Sequence, residues 1–286
     1  MHGGYVQLKE GGPTMAGGNR VPGSTVTSKV LAIMEVFETS RRALSLTEIA
    51  EASGVPLSTT HRLVGELVDW GMLSRGPNGG IQLGLRLWAI AQNAGRQLRD
   101  TARPFVQDLF SLTGETSQLA VRDGNMALYI DRVYGSKRVP RASRVGGRLP
   151  LHATAVGKVI LAYSEDWVTD AYLGRPLATV TGHTHINPTR LRAELAQVRE
   201  RGYATTQEEV ILGSCSIAVP VFHTGRLGCS IGLVVSSSNA GTMTRHLPVL
   251  RGVSQRIEAA TAHIPLETLL GSVTGGAPLP PIDPQH

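Results

Sequence analysis

Three places in this sequence carry residue types that could do chemistry. Gly213-Ser214-Cys215-Ser216 offers a thiol flanked by hydroxyls, with His152, His183, His185 or His223 as a conceivable base for nucleophilic catalysis. The segment lacks the G-x-S-x-G elbow, no histidine stands at a diagnostic spacing, and a cysteine in an apolar stretch is ordinarily a small core residue. His183-x-His185 with Cys215 or Cys229 holds zinc-type donors, but the two histidines sit in a polar loop, where solvated side chains are the default. No catalytic residue, metal or cofactor is expected. The third place is Ser58-Thr59-Thr60-His61-Arg62, small hydroxyls and an arginine at the start of a helical pattern. Such residues allow close approach to DNA, donate to phosphates and base edges, and set the positive helix end towards the backbone.

The elements that position this third group read clearly. Val30, Ile33, Met34 and Phe37 form an i, i+3, i+4, i+7 stripe. Ser45-Leu46-Thr47-Glu48 is a capping box opening a short helix through Ala52, and Gly54 supplies a tight turn. A second helix is expected from Ser58 or Thr59 to about Trp70, burying Leu63, Val64, Leu67 and Val68 and exposing Ser58 to Arg62 in its first turn. Residues 74–83 read as a two-stranded wing turning at Asn78-Gly79, with Arg75 at its base. The order helix, capped helix, Gly turn, Ser/Thr/Arg helix, wing, long helix specifies a winged helix-turn-helix. The candidate DNA contacts are Lys29, Ser45, Thr47, Ser58, Thr59, Thr60, His61, Arg62 and Arg75.

Bulk composition neither makes nor breaks this reading. The 286 residues suggest two domains, and the net charge of +6 permits nucleic-acid binding without showing it. Residues 25–84 hold five bases against six acids, so the placement of charge carries the argument. No apolar run approaches the roughly 18 residues of a membrane helix. The first residues lack the apolar core of a secretory signal, and two cysteines make no disulfide framework, which together fit a reducing cytoplasm.

The expected organisation is a disordered tail over 1–24 (with Met15 a conceivable alternative start), the winged unit over 25–84, a linker helix over 85–100, a sensing domain over 101–265 and a flexible tail over 266–286. In the linker, Trp88, Ala91, Gly95 and Leu98 fall at helical spacing, a stripe suited either to a partner helix or to the chain's own domain. Beyond it, residues 117–122 and 126–133 alternate around Asp123-Gly124-Asn125 as a hairpin. An apolar helix begins near His152 and runs to Tyr163. Asn187-Pro188 starts a helix with Leu191, Leu195 and Val198 inward, ended by Gly202. Residues 216–222 and 227–235 are buried-type strands, and Leu247, Leu250, Val253 and Ile257 mark a last helix. Strands and helices in this mixture predict an α+β domain with an antiparallel sheet.

Leu46-Thr47-Glu48-Ile49-Ala50 through Ser58-Thr59-Thr60-His61-Arg62-Leu63 resembles the winged helix of the IclR family of transcription regulators. The resemblance continues through Leu149-Pro150-Leu151-His152-Ala153-Thr154-Ala155-Val156-Gly157-Lys158, Arg201-Gly202-Tyr203-Ala204, Glu208-Glu209 and Ile217-Ala218-Val219-Pro220-Val221-Phe222. It implies a GAF-like C-terminal sensor domain, dimerisation through the winged unit and the linker helix, double-stranded operator DNA read as a pseudo-palindrome, and a small-molecule effector. A homodimer or tetramer with no membrane partner follows, more often a repressor than an activator.

The family's pocket, carried over by position, falls on Leu149, Ala155, Val156, Thr206, Ser216, Gly232 and Val234. Members that bind small carboxylates have an acid where this chain has Thr206, a Cys where it has Ser216, and two serines where it has Gly232 and Val234. That loss of polar contacts points to a partly apolar or aromatic carboxylate. In the run Lys137-Arg138-Val139-Pro140-Arg141-Ala142-Ser143-Arg144, Arg141 is a candidate for pairing the ligand carboxylate, and a solvated basic edge strand is the competing reading. The alternative function is a small-molecule-binding or hydrolytic protein whose helical N-terminus serves oligomerisation.

Overall fold

Residues 25–40, 42–91, 96–134 and 144–270 are described in the computed structural model. The tails expected over 1–24 and beyond 270, Arg41, Gly95 and Arg141 lie outside the described residues. The chain divides into two units, residues 1–91 and 92–286.

The first unit begins with α1 (Val26–Thr39), capped by Thr25 Oγ1, which accepts from Ser28 N at 3.1 Å. Helix α2 (Leu46–Ser53) has the expected capping box: Glu48 N donates to Ser45 Oγ at 3.2 Å and Ser45 N to Glu48 Oε2 at 2.8 Å. It ends at Gly54, whose φ of 65° a side chain would resist. Helix α3 spans Leu57–Asp69 and starts one or two residues earlier than expected, because Pro56 fixes an extended N-cap and no side chain caps the first turn.

Strands β1 (Leu73–Arg75) and β2 (Ile81–Leu83) form the antiparallel wing, closed where Gly76 N reaches Gly80 O at 2.7 Å. Leu44 adds a bridge to Ile81, tying the wing to the helices. At Gly84 a Cβ would lie 2.1 Å from Gly71 O, so the chain leaves the wing at backbone contact. Ile33, Phe37, Ile49, Leu63, Leu73 and Ile81 are the centre of the core. Helix α4 (Leu85–Ala91) closes the unit.

The second unit opens with α5 (Arg96–Thr113). The linker helix expected over 85–100 is thus described as parts of two helices in two units. Leu98, on the stripe that had two readings, is buried in the second unit's own core. A six-stranded antiparallel sheet follows: β3 (Thr116–Asp123), β4 (Met126–Val133), β5 (Arg148–Pro150), β6 (Ala204–Gln207), β7 (Ser214–His223) and β8 (Arg226–Ser236), ordered β5-β4-β3-β8-β7-β6.

One face carries α5 and α9 (Leu247–Thr261) over Leu119, Ile217, Val219, Ile231 and Leu233. The other carries α6 (Ala155–Ala162) and α8 (Pro188–Arg201) over Ala120, Tyr129, Ala204 and Ala218. Both faces are covered, which is why β7 and β8 read as near-continuous apolar runs.

Local signals place the helices here too. Thr154 Oγ1 caps α6 through Gly157 N at 3.0 Å, and Asn187 Oδ1 caps α8 through Arg190 N at 3.0 Å. A Cβ on Gly157 would meet Leu151 O at 2.3 Å, so α6 presses onto the turn before it. Two short helices had no clear sequence signal, α7 (Asp166–Leu173) and α10 (Leu266–Leu270). The second corrects the flexible tail expected from residue 266, since Leu269 is 2% exposed in the core. No helix among the described residues is long and apolar enough to cross a membrane.

Candidate nucleic-acid interface and ligand cavity

Helix α3 carries the outward surface of the first unit. Ser58, His61 and Arg62 are exposed and Thr59 is half-exposed. With no side-chain cap, the first backbone N–H groups of α3 lack an intrahelical partner, the arrangement that receives phosphate. Arg62 is held by Glu66 one turn on at 2.5 Å, an exposed pair that costs little to open.

Thr60 is the correction. Expected in the exposed first turn, it is fully buried and donates its hydroxyl to Val55 O at 3.1 Å. It lies three and four residues before Leu63 and Val64, on the buried stripe, and so offers no surface to a partner.

Arg75 is exposed at the end of β1, and Lys29 is half-buried on α1. Ser45 and Thr47 are exposed at the start of α2, where the Ser45 hydroxyl is committed to the capping box. Arg42 pairs with Glu48 at 2.6 Å. That bond, with those from Ser45, holds the Glu48 carboxyl at about 2.

In the second unit, Leu149, Thr206, Ser216 and Val234 converge at one end of the sheet, on the face that α6 covers. Register explains the convergence: Thr206 pairs with Ser216, and Ser216 with Val234. Thr206 Oγ1 and Ser216 Oγ are 2.5 Å apart. They border a cavity of about 30 Å³, room for a water or two. Ala155, Val156 and Gly232 are not on its wall: a Cβ on Gly232 would meet Val156 Cγ1 at 3.3 Å, so this trio forms the packed contact between sheet and helix.

Sequence reasoning missed Gln118, Tyr129, Arg132, Thr154 and Glu209, which with Val210 and Ser214 complete the wall. Arg132 is 8% exposed, its guanidinium 5.9 Å from the Tyr129 ring centre. Strand alternation would have put Gln118 on the face of Ala120; Arg132 lies beyond a register shift between Leu119 and Ala120 that upsets simple alternation.

Behind the cavity lies a buried charge cluster. Lys158 on α6 is fully buried, with Nζ 2.7 Å from Glu194 Oε1 and 2.7 Å from Glu209 Oε1. Burial pushes the Glu209 carboxyl up, against the pull of Lys158. His185 Nδ1 is 2.9 Å from Glu194 Oε2. His185, Glu194 and Glu209 have metal-ligand spacing, but the Lys158 ammonium already fills the cation position between the carboxylates.

The nucleophile reading meets a topological obstacle. Cys215 is buried with the α5–α9 face, where burial pushes its thiol up. His152 is committed elsewhere, Nδ1 to Tyr172 OH at 2.7 Å and Nε2 to Ala178 O at 3.0 Å.

Comparison with known proteins agrees with this architecture. Residues 26–77 match the IclR helix-turn-helix domain, and residues 92–258 match the bacterial transcriptional regulator IclR C-terminal domain. The HTH-type transcriptional regulator XynR of Escherichia coli K12 is 33% identical over 215 residues, covering 73% of this chain and 85% of that protein. The transcriptional repressor IclR of the same strain is 34% identical over 209 residues, covering 68% and 74%. A crystal structure of an IclR homolog from Microbacterium hydrocarbonoxydans, complexed with 4-hydroxybenzoate, superposes with a TM-score of 0.77 at 32% identity, covering 81% of this chain and 97% of that one. A capped helix-turn-helix with its wing, joined in one chain to a two-faced antiparallel sensor sheet and matched to relatives over both parts, places this chain in the IclR family of transcriptional regulators.

Proposed function

We propose that this chain is a repressor that binds a pseudo-palindromic operator as a homodimer in the cytoplasm and responds to an aromatic carboxylate. The winged unit of residues 25–84 reads DNA through Ser58, Thr59, His61 and Arg62 on α3, with Arg75 of the wing and Lys29 on phosphates. The exposed apolar side chains of α1 and α4 support the dimer. Leu31 is 64% exposed, Leu85 86% and Trp88 66%, more apolar surface than a small unit ordinarily leaves in water.

The observation that carries the effector reading is the wall of the sensor cavity. Arg132, Gln118, Thr154, Thr206 and Ser216 stand beside Tyr129, Leu149 and Val234, a mixture suited to one carboxylate on an apolar ring. The homolog complexed with 4-hydroxybenzoate supports the same ligand class. In this conformation the cavity is far smaller than a benzoate, so binding requires lining side chains to move.

Calorimetric titration of the full chain with 4-hydroxybenzoate and related aromatic acids, alongside pyruvate and glyoxylate, tests the assignment. The aromatic acids bind, and Arg132→Gln weakens them about tenfold or more, the cost of one charge-assisted hydrogen bond. Tight binding of the small keto-acids with none of the aromatic ones would overturn it.

A further inference from the structure

The sensor sheet has a second opening, whose wall shares no residue with that of the effector cavity. The wall of that cavity reaches Val234, whereas this groove reaches Arg226 on the same strand. The nearest wall residues on β8 are Val234 and Cys229, five residues or roughly 17 Å apart, and on β3 they are Gln118 and Val121, roughly 10 Å apart and on opposite faces of the sheet. The β7–β8 hairpin, the start of α7, the end of α6 and α10 enclose a volume of about 590 Å³. That is within the roughly 300–1,000 Å³ of small-molecule pockets and needs no rearrangement to admit a ligand.

Its wall has a definite chemistry. Tyr163, Trp167 and Phe222 supply aromatic surface, with Tyr163 and Phe222 packed edge to face at 5.2 Å. Leu266 and Leu270 of α10 extend the apolar side. Arg122, at the end of β3, and Arg226, at the start of β8, supply charge. The last ladder pair between these strands is Ala120 with Ser230. Beyond it β8 carries a bulge, Val221 pairing with Cys229 and Phe222 with Leu227, and the extra residue Gly228 turns Arg226 to the face of His223, whereas Arg122 lies on the face of Phe222. Gly225 opens onto free space beside Arg226, whereas a Cβ at Gly228 would already touch His223 Cβ at 3.4 Å.

Among the described residues neither guanidinium makes a hydrogen bond or an ion pair. Glu165, the acid on the wall, already accepts from the Trp167 indole N–H.

We propose that this groove is a second ligand site, separate from the effector cavity, and that it takes a planar aromatic anion such as an arene carboxylate. The ring lies against Tyr163, Trp167 and Phe222, and the anion is received by Arg122, on the same face of the sheet as Phe222, with Arg226 adding positive charge from the other side of the groove. A neutral apolar ligand would leave both arginines without a counter-charge, and a bare inorganic anion would leave the aromatic wall in water. The proposal does not depend on the effector reading, since no residue is shared between the two walls.

The probe is 2-naphthoate, added to the full chain labelled with 5-fluorotryptophan. The three tryptophans, Trp70, Trp88 and Trp167, give three fluorine resonances, and Trp167→Phe identifies the one in the groove. The Trp167 resonance is expected to shift saturably with 2-naphthoate. Its neutral analogue 2-naphthol should bind about tenfold more weakly or worse, the loss of a charge-assisted contact. Arg122→Gln with Arg226→Gln should weaken 2-naphthoate by a similar factor, while Ser216→Ala in the effector cavity leaves the Trp167 titration unchanged. A Trp167 resonance that does not respond to 2-naphthoate overturns the proposal, including the case of a groove already filled by another segment or a second copy. Equal affinity for 2-naphthol overturns it without reliance on any variant. A response abolished by Ser216→Ala would place the ligand in the other cavity and overturn it as well.

Discussion

The winged unit and the sensor unit place their candidate site residues on opposite sides of the burial boundary. In the winged unit, Ser58, His61 and Arg62 point out of a helix whose other face, from Thr60 to Val64, is core. In the sensor, Arg132, Thr206 and Ser216 point into a cavity, and the charges behind it, Lys158 and Glu209, are almost wholly buried. An outward surface can change with little cost to the fold. An inward one is held by buried hydrogen bonds and charges, so its function and stability are coupled.

The sharpest way to break that comparison is at Lys158. Lys158→Met leaves Glu194 and Glu209 buried without their cation, and is expected to destabilise the sensor unit by about 3–5 kcal/mol. Guanidinium unfolding of the full chain measures it; a loss under about 1 kcal/mol would mean that water reaches the carboxylates.

Next comes Arg62→Ala, expected to weaken operator binding by about 1–3 kcal/mol while the melting temperature stays unchanged. Thr60→Val, one helix face away, should do the reverse. Loss of its bond to Val55 O costs about 1 kcal/mol of stability with operator affinity intact. If both variants lower affinity alike, the surface of α3 is not the reading surface.

The smallest effect concerns pH. Glu48 titrates at about 2 in the fold, held there first by Arg42 and then by Ser45, against an ordinary 4.5. A depressed carboxyl contributes stability above the ordinary value and loses it as pH falls through the folded one. The winged unit should therefore weaken between about 4.5 and about 2, and Glu48→Gln should flatten that stretch of the stability profile.

What the sequence disclosed follows the same division. The Ser45–Glu48 box, the Gly54 stop, the Asn187-Pro188 start and the Gly202 stop are local arrangements, and the chain carries them within a few residues. Thr60 was legible as well, had its spacing from Leu63 and Val64 been weighed above its hydroxyl.

The sensor cavity is different in kind. Its wall is assembled from six strands and two loops, and register decides which side chains meet. Thr206, Ser216 and Val234 came through resemblance, whereas Arg132 was hidden by the shift after Leu119. Ala155, Val156 and Gly232 fall outside the wall as it stands, because the tight fit of α6 on β8 is a packing fact with no local signature.

The central claim is that these two regions answer to each other, and it has a direct test. Fluorescence anisotropy gives the affinity of the full chain for a duplex from upstream of its own gene, with and without saturating 4-hydroxybenzoate. The account predicts that the aromatic acid changes operator affinity by about fivefold or more, and linkage requires the operator to change the affinity for the acid by the same factor. Operator and ligand each binding with an affinity indifferent to the other would contradict it.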